Sequence, residues 1–290
     1  MERISNADMS KYTSFRAGGC ADELIIVDTP EELLDVLKEL SEKKDEYIML
    51  GNGSNTLFKD SGYHGTVVKL GESFDEVRVH ENKVLAGGGA LLSVVARAAL
   101  NAGLTGFEFA SGIPGSTGGA IFMNAGAYGG EMKDIVDNVT LAKRDGSGLV
   151  TVKGSDMDFS YRHSILEETG DIVVAVAFSL SKGDKQDIQA TMAELTQKRN
   201  EKQPVQYPSA GSFFKRPEGH FAGKLIQDAG LKGVTVGGAQ VSQLHSGFVI
   251  NVGGATASDI IDLMHLVQNT VYDRFGVMLE PEVRIIGDQI

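Results

Sequence analysis

The chain has 290 residues, 42% hydrophobic and 23% charged, enough for one large domain or two to three small ones with an ample core. Its formal charge of −12, from 27 basic and 39 acidic side chains, excludes a general nucleic-acid or anionic-membrane binder, since both need a basic field. The single cysteine, Cys20, permits no internal disulfide and fits a reducing cytoplasm. The N-terminal MERISNADMSKYTSF has no apolar signal core, and no apolar run is long enough to span a bilayer.

In chain order, residues 1–22 read as polar loop and Leu24–Val27 as a strand. A helix starts at Thr29-Pro30-Glu31-Glu32, with Thr29 as N-cap and Glu32 as capping-box partner. Leu33, Leu34, Leu37 and Leu40 form its apolar stripe. A strand at Tyr47–Leu50 runs into GNGSN, residues 51–55. Short alternating strands follow around Val77, Val79, Val84 and Leu85. Then comes a helix over Leu91–Asn101, with Leu92, Val95, Ala96 and Ala99 inward and Gly103 just past its end. Strands are predicted at 135–143, 149–152 and 171–180, and a polar helix over Asp184–Lys202 with an Ile188/Met192/Leu195 stripe. Gln203–Pro208, with two prolines, reads as a linker. Beyond it lie a helix near Phe221–Ala229, strands at Val234–Val236 and Gly247–Val252, a helix from Ser258 to Phe275, and a last strand in EPEVRII, residues 280–286.

The chain is organised around GFEFASGIPGSTGGAIFMNAGAYGG, residues 106–130, where the backbone is almost bare of side chains. Two readings stand for it. Ser116-Thr117 opening a short helix would point backbone N–H groups at a phosphate or pyrophosphate; alternatively, the glycines form a tight corner between helix and sheet. Standard nucleotide loops do not fit. GNGSN has Thr56 where a dinucleotide fingerprint needs a third glycine, and GHFAGKL (219–225) is one residue short of a phosphate loop, with Leu225 in place of the magnesium-binding hydroxyl. What remains is two small-residue loops, 51–55 and 112–119, able to grip one elongated diphosphate ligand. No HExxH, cysteine pair or His-rich tract supports a metal, and no GxSxG elbow supports a serine hydrolase. Taken singly, Arg162, Ser212, His245 and Glu282 read as structural.

Six stretches occur in an order that resembles the UDP-N-acetylenolpyruvoylglucosamine reductase family. They are TSFRAGGCA (13–21), LGNGSNTL (50–57), GFEFASGIPGSTGGAIFMNAGAYGGE (106–131), SYRHS (160–164), SAGSFFKRP (209–217) and EPEVRIIG (280–287). The resemblance, with the shorter of the family's two types, covers nearly the whole chain. It implies an α+β FAD-binding fold of the vanillyl-alcohol-oxidase type, with two α+β subdomains at 1–70 and 71–203 and a C-terminal α/β substrate domain at 204–290.

The same resemblance implies that non-covalent FAD is held by Asn52, Gly53, Ser54 and Asn55 and by Ile113, Pro114, Gly115, Ser116 and Gly119, with Gly126 against the flavin. NADPH would be the reductant and UDP-N-acetylglucosamine enolpyruvate the substrate, in a cytoplasmic monomer of peptidoglycan precursor synthesis. Arg162 would stabilise charge building on the substrate carboxylate. Ser212 would give the proton, with Lys215 adding to its field. Glu282, near the same carboxylate, would have to be protonated or act through a hydrogen bond, since a free glutamate titrates near ~4.3. Tyr161, Lys215, Arg216, His245 and Arg284 would contact the substrate, the basic ones being candidates for the UDP diphosphate. Arg216 stands where the family's longer type often has asparagine, which favours a charged phosphate contact. Leu166 replaces an aromatic often found after the YRxS motif. Two rivals make different demands: an oxidase of the same flavin fold, often covalently flavinylated, and a non-catalytic nucleotide-sugar binder that purifies without flavin.

Overall fold

A computed structural model describes residues 1–287, which fall into two units. The first comprises residues 1–4, 24–52 and 66–198, and the second residues 5–23, 53–65 and those from 199 on.

In the first unit, helix α1 (Pro30–Lys43) begins where the Thr29 hydroxyl accepts the Glu32 N–H at 3.2 Å, and Glu32 reaches back to the Asp28 N–H at 2.8 Å. It ends at Lys44, which takes the left-handed conformation at φ 59°. Its apolar face meets Ile25, Val27, Val68, Ile172 and Val174. The buried stripe is Leu33, Val36, Leu37 and Leu40; Leu34, expected inside, is only half-buried and Val36 takes its place.

Beside it lies a five-stranded antiparallel sheet in the order Leu149–Lys153, Val136–Ala142, Ile172–Ser179, Lys83–Gly87, Val77–His80. The registers of Val139 with Val176 and of Val176 with Ala86 place these three apolar side chains on one face. Helix α2 (Leu92–Ala102) buries the predicted Leu92, Val95, Ala96 and Ala99 in that core, each large aliphatic contributing about 1.5–3 kcal/mol. Gly103 closes it at φ 67°. Phe107 meets Phe178 edge to face with ring centroids 5.0 Å apart. The short helices α3 (Thr117–Phe122) and α4 (Leu166–Thr169) follow in this unit. Helix α5 (Lys185–Lys202) continues from it into the second unit and buries only Ile188 of its predicted stripe.

In the second unit a four-stranded antiparallel sheet runs Ser209–Ser212, Phe248–Asn251, Ala239–Val241, Thr235–Val236. Its core holds Phe15, Phe213, Phe214 and the inner faces of α6 (Ala222–Asp228) and α7 (Ala257–Phe275). A reciprocal capping box joins Thr256 and Asp259 at the start of α7. Asp60 accepts the next two N–H groups, of Ala257 and Ser258, at 2.9 and 2.7 Å, placing a carboxylate on the positive helix end. Strand Arg284–Ile286 pairs in parallel with Thr56–Phe58.

The N-terminal reading needs correction. Residues 1–22 are not loop throughout, since Glu2–Asp8 is a strand and the next strand begins at Cys20. Glu2–Asp8 (ERISNAD) is mostly polar, so the apolar alternation that marks a strand is missing there, while the residues from Cys20 extend the predicted Leu24–Val27 strand at its start. Among the described residues no helix is long and apolar enough to cross a membrane.

Candidate functional site

The first loop is divided between the units. In the first unit, the Asn52 side-chain amide donates to the Pro114 carbonyl at 2.8 Å, tying the two glycine-rich loops together. A Cβ on Gly51 would come within 2.6 Å of the Ser116 hydroxyl, so the serine side chain fills the space a side chain at residue 51 would need. Lys69 donates to the Gly51 carbonyl at 3.1 Å and supports the loop from below; burial pulls its ammonium below the ordinary lysine range.

The second loop leads into α3, with Ser116 as its N-cap accepting the Gly119 N–H at 3.3 Å. The expectation that this helix start points several N–H groups outward is corrected. Thr117 N–H donates to Ala90 O and Gly118 N–H to Gly88 O, both at 2.8 Å. Gly115 O accepts from Leu92 N–H at 3.1 Å, so the loop is laced to residues 88–92 on both sides of Ser116. The packing-corner reading therefore describes residues 117–118, and the ligand reading is confined to Ile113–Ser116 and the Gly119 turn. Ile113 leans on the core and Gly126 opens a two-strand hairpin opposite Glu131.

In the second unit, Gly53 sits at φ 62° with its Cα facing the Tyr12 carbonyl, where a Cβ would overlap the oxygen at 2.0 Å. Ser14 N–H donates to Gly53 O at 3.0 Å, and the Asn55 amide donates to Glu282 O at 3.0 Å. Next to this turn the Thr13 hydroxyl is buried with no protein partner. A buried hydroxyl that still has a hydrogen bond to give is a feature that a ligand with many acceptors fits.

Arg162 belongs to the first unit, at the tip of a tight turn in which Ser160 and His163 exchange main-chain hydrogen bonds at 3.2 and 3.3 Å. Its φ is 58°, left-handed, which is costly for a residue with a Cβ. The guanidinium lies 5.4 Å from the centroid of the exposed Tyr161 ring. Nearby, the Lys133 ammonium at 2.8 Å, then the Asn124 amide and the Arg162 charge, hold the Glu131 carboxyl below the usual range.

Ser212, Glu282, Lys215, Arg216, His245 and Arg284 all belong to the second unit. Ser212 ends an edge strand, opposite Phe248, with its own residue exposed and Phe213 and Phe214 buried behind it. The segment carrying Glu282 runs alongside: Glu282 N–H donates to Phe213 O and Lys215 N–H to Glu280 O, each at 2.8 Å. The acid candidate and the carboxylate candidate thus sit on adjacent backbones. Lys215 pairs with Glu280 at 3.8 Å, Arg216 lies 4.1 Å over the Phe221 ring, and Arg284 pairs with Thr56.

The surroundings of His245 disfavour the cation expected for a diphosphate. Its Nδ1 accepts the Gly247 N–H at 3.1 Å, its ring stacks edge-on to Phe248, and burial, aided by Lys232, pushes its pKa down. A neutral imidazole with Nδ1 occupied can offer only its Nε2–H. Because the folded pKa lies below the unfolded one near ~6.5, this contribution to stability is complete above that pH and is lost as pH falls below it. The melting temperature of wild type is therefore expected to drop more than that of His245→Asn between pH 7.5 and 5.5, approximate buffer values chosen to bracket the reference pKa; equal drops would place the titration elsewhere.

Asn124, Glu131 and Lys69 were not singled out by sequence reading, although the first two lie inside the quoted central motif. Only their contacts distinguish them. Among the described residues no group of three or more His, Cys, Asp or Glu is arranged to hold a metal.

Comparison with known proteins gives the class first. A profile described as an FAD binding domain matches residues 21–153, so the α+β frame that carries the joined glycine loops is that of an FAD-dependent oxidoreductase. A second profile, the C-terminal domain of UDP-N-acetylenolpyruvoylglucosamine reductase, matches residues 203–286. The UDP-N-acetylenolpyruvoylglucosamine reductase of Clostridium botulinum (strain Alaska E43 / Type E3) is 51% identical over 98% of this chain and 92% of its own length. That of Caldanaerobacter subterraneus subsp. tengcongensis is 49% identical over 98% and 93%. The crystal structure of the reductase from Thermus caldophilus superposes with a TM-score of 0.84 at 37% identity, covering 98% of both chains. The chain belongs to the UDP-N-acetylenolpyruvoylglucosamine reductase family.

Proposed function

We propose that this enzyme reduces the enolpyruvyl ether of UDP-N-acetylglucosamine to UDP-N-acetylmuramate with NADPH, in peptidoglycan precursor synthesis, as a cytoplasmic monomer. The observation that carries the cofactor assignment is the Asn52 to Pro114 hydrogen bond, which makes one bare surface of two loops otherwise distant in sequence. On this reading residues 1–70 and 71–203 form the two FAD-binding parts and residues 204–290 the substrate-binding part.

Asn52–Asn55, Ile113–Ser116 and Gly119 would hold the FAD pyrophosphate, with Gly126 next to the ring. The chemistry that FAD supplies when bound is hydride transfer: two electrons taken from NADPH and given to the terminal methylene of the substrate's double bond. This chain's residues do the rest. Arg162, with Tyr161 beneath it, meets the negative charge that builds on the substrate carboxylate. Ser212 delivers a proton to the adjacent carbon, which balances the added hydride. Its residue is exposed, so the water exclusion that a serine acid needs is supplied by the bound substrate itself. Glu282, on the backbone beside Phe213, sits near that carboxylate, either protonated, so that it can donate, or acting through an intervening hydrogen-bond donor. Lys215, Arg216 and Arg284 are the charged contacts for the diphosphate, and His245 a neutral donor.

The test is an absorption spectrum of the purified protein, followed anaerobically by NADPH and then by the enolpyruvyl substrate. A flavin spectrum that bleaches with NADPH and returns with substrate is expected. Bleaching without return would leave an oxidoreductase of another substrate, and no flavin after added FAD would refute the cofactor loops.

A further inference from the structure

Helix α3 has six residues, about 9 Å at 1.5 Å each, and both of its ends are tied to candidate site elements. Its N-cap is Ser116, in the second glycine loop. Just past its end lies Asn124, 1% exposed and left-handed at φ 42°. A buried asparagine must satisfy its amide, and this one does so with three hydrogen bonds to two other segments. Its Nδ2 donates to the Ser160 carbonyl at 3.0 Å and to Glu131 Oε2 at 2.9 Å, and its Oδ1 accepts the Lys133 N–H at 3.0 Å. A second tie joins the same helix end to the same turn: the fully buried Ser164 donates from Oγ to the Phe122 carbonyl at 2.7 Å. The Arg162 turn is therefore held at its first residue by Asn124 and just beyond its last by Ser164.

We infer that Asn124 is a positioning residue for Arg162, fixing the left-handed turn that presents the guanidinium, with Ser164 as the second anchor. The inference rests on the role proposed for Arg162. Asn124 also holds Glu131, whose carboxylate lies within the electrostatic reach of Arg162, so one amide holds both the turn and a carboxylate that faces its charge. Because one tie ends on the last residue of α3 and the other ends two residues beyond it, displacement of the glycine loop and displacement of the arginine are mechanically linked.

Asn124→Gly keeps the left-handed backbone accessible while deleting the amide. In anaerobic stopped-flow, NADPH should bleach the variant's flavin at the wild-type rate, while reoxidation by the enolpyruvyl substrate slows by about 100-fold, the scale of a misplacement of about 1 Å. In an Arg162→Lys background the same change should add less than about 3-fold, because residues acting as one unit are not additive. A full multiplicative loss in that background would make Asn124 independent of Arg162 and overturn the inference. Should Asn124→Gly fold poorly, Ser164→Ala carries the same expectations. Amide hydrogen exchange over residues 160–164 should accelerate in either variant without any ligand, and unchanged exchange would also overturn it. If wild type is not bleached by NADPH, the proposed function fails while the exchange result still decides the pinning.

Discussion

Replacing Ser212 with alanine is expected to leave NADPH reduction of the flavin at its wild-type rate and to slow reoxidation by the enolpyruvyl substrate by about 10²–10⁴-fold, the usual contribution of a positioned acid. The structure separates this from a folding effect. Ser212 is exposed at a strand end, while the neighbouring Phe213 and Phe214 are 0% and 3% exposed and anchor the segment. Removing one exposed hydroxyl leaves that anchor intact, and surface changes of this kind usually stay within about 0.5 kcal/mol. The Phe213 carbonyl also keeps its bond from Glu282 N–H, so the strand bearing the carboxylate stays in register. Loss confined to the second half-reaction would then belong to the proton alone. Substrate turnover at the wild-type rate in this variant would remove Ser212 as the acid and leave solvent or another donor in its place.

The elements legible in the sequence are those whose ends carry their own chemistry. Helix α1 is announced by Thr29 and Pro30 and starts there, while α2, marked by its apolar spacing and Gly103, and α7, expected over Ser258–Phe275, are found with ends within a residue or two. Strands such as Glu2–Asp8, Thr56–Phe58 and Ser209–Ser212 are short or polar, and exist because partner backbones complete them, which no local pattern records. The same divide runs through the site. The glycine loops are visible as composition, but whether their N–H groups face a ligand depends on Gly88 and Ala90, some thirty residues earlier, which take the hydrogen bonds of Gly118 and Thr117. His245 reads as a basic residue until Gly247 and Phe248 are placed around it. Asn124 is one polar letter in a run of small residues, and its three partners come from segments that only the fold brings to it.

Gly53→Ala is expected to lose both stability and flavin, and to lose more than left-handed strain alone explains. Strain at φ 62° costs a Cβ-bearing residue about 1–2 kcal/mol. The added carbon would also stand 2.0 Å from the Tyr12 carbonyl oxygen and 2.9 Å from Thr13 Cα, forcing the two backbones apart, and overlaps of this kind add about 1–3 kcal/mol. The total is on the order of 3 kcal/mol. Gly254, in the same unit at φ 66°, has nothing within 4 Å of its would-be Cβ, so Gly254→Ala measures the strain without the overlap. Urea unfolding of the two apo-variants therefore isolates the contact between residue 53 and residues 12–13. Displacement there moves the Ser14–Gly53 hydrogen bond and the buried Thr13 hydroxyl together, so FAD titration should show weakened binding in Gly53→Ala and wild-type binding in Gly254→Ala. Equal stability and full flavin occupancy in both variants would mean that the turn yields freely, and that its closeness to Tyr12 does not shape the cofactor loop.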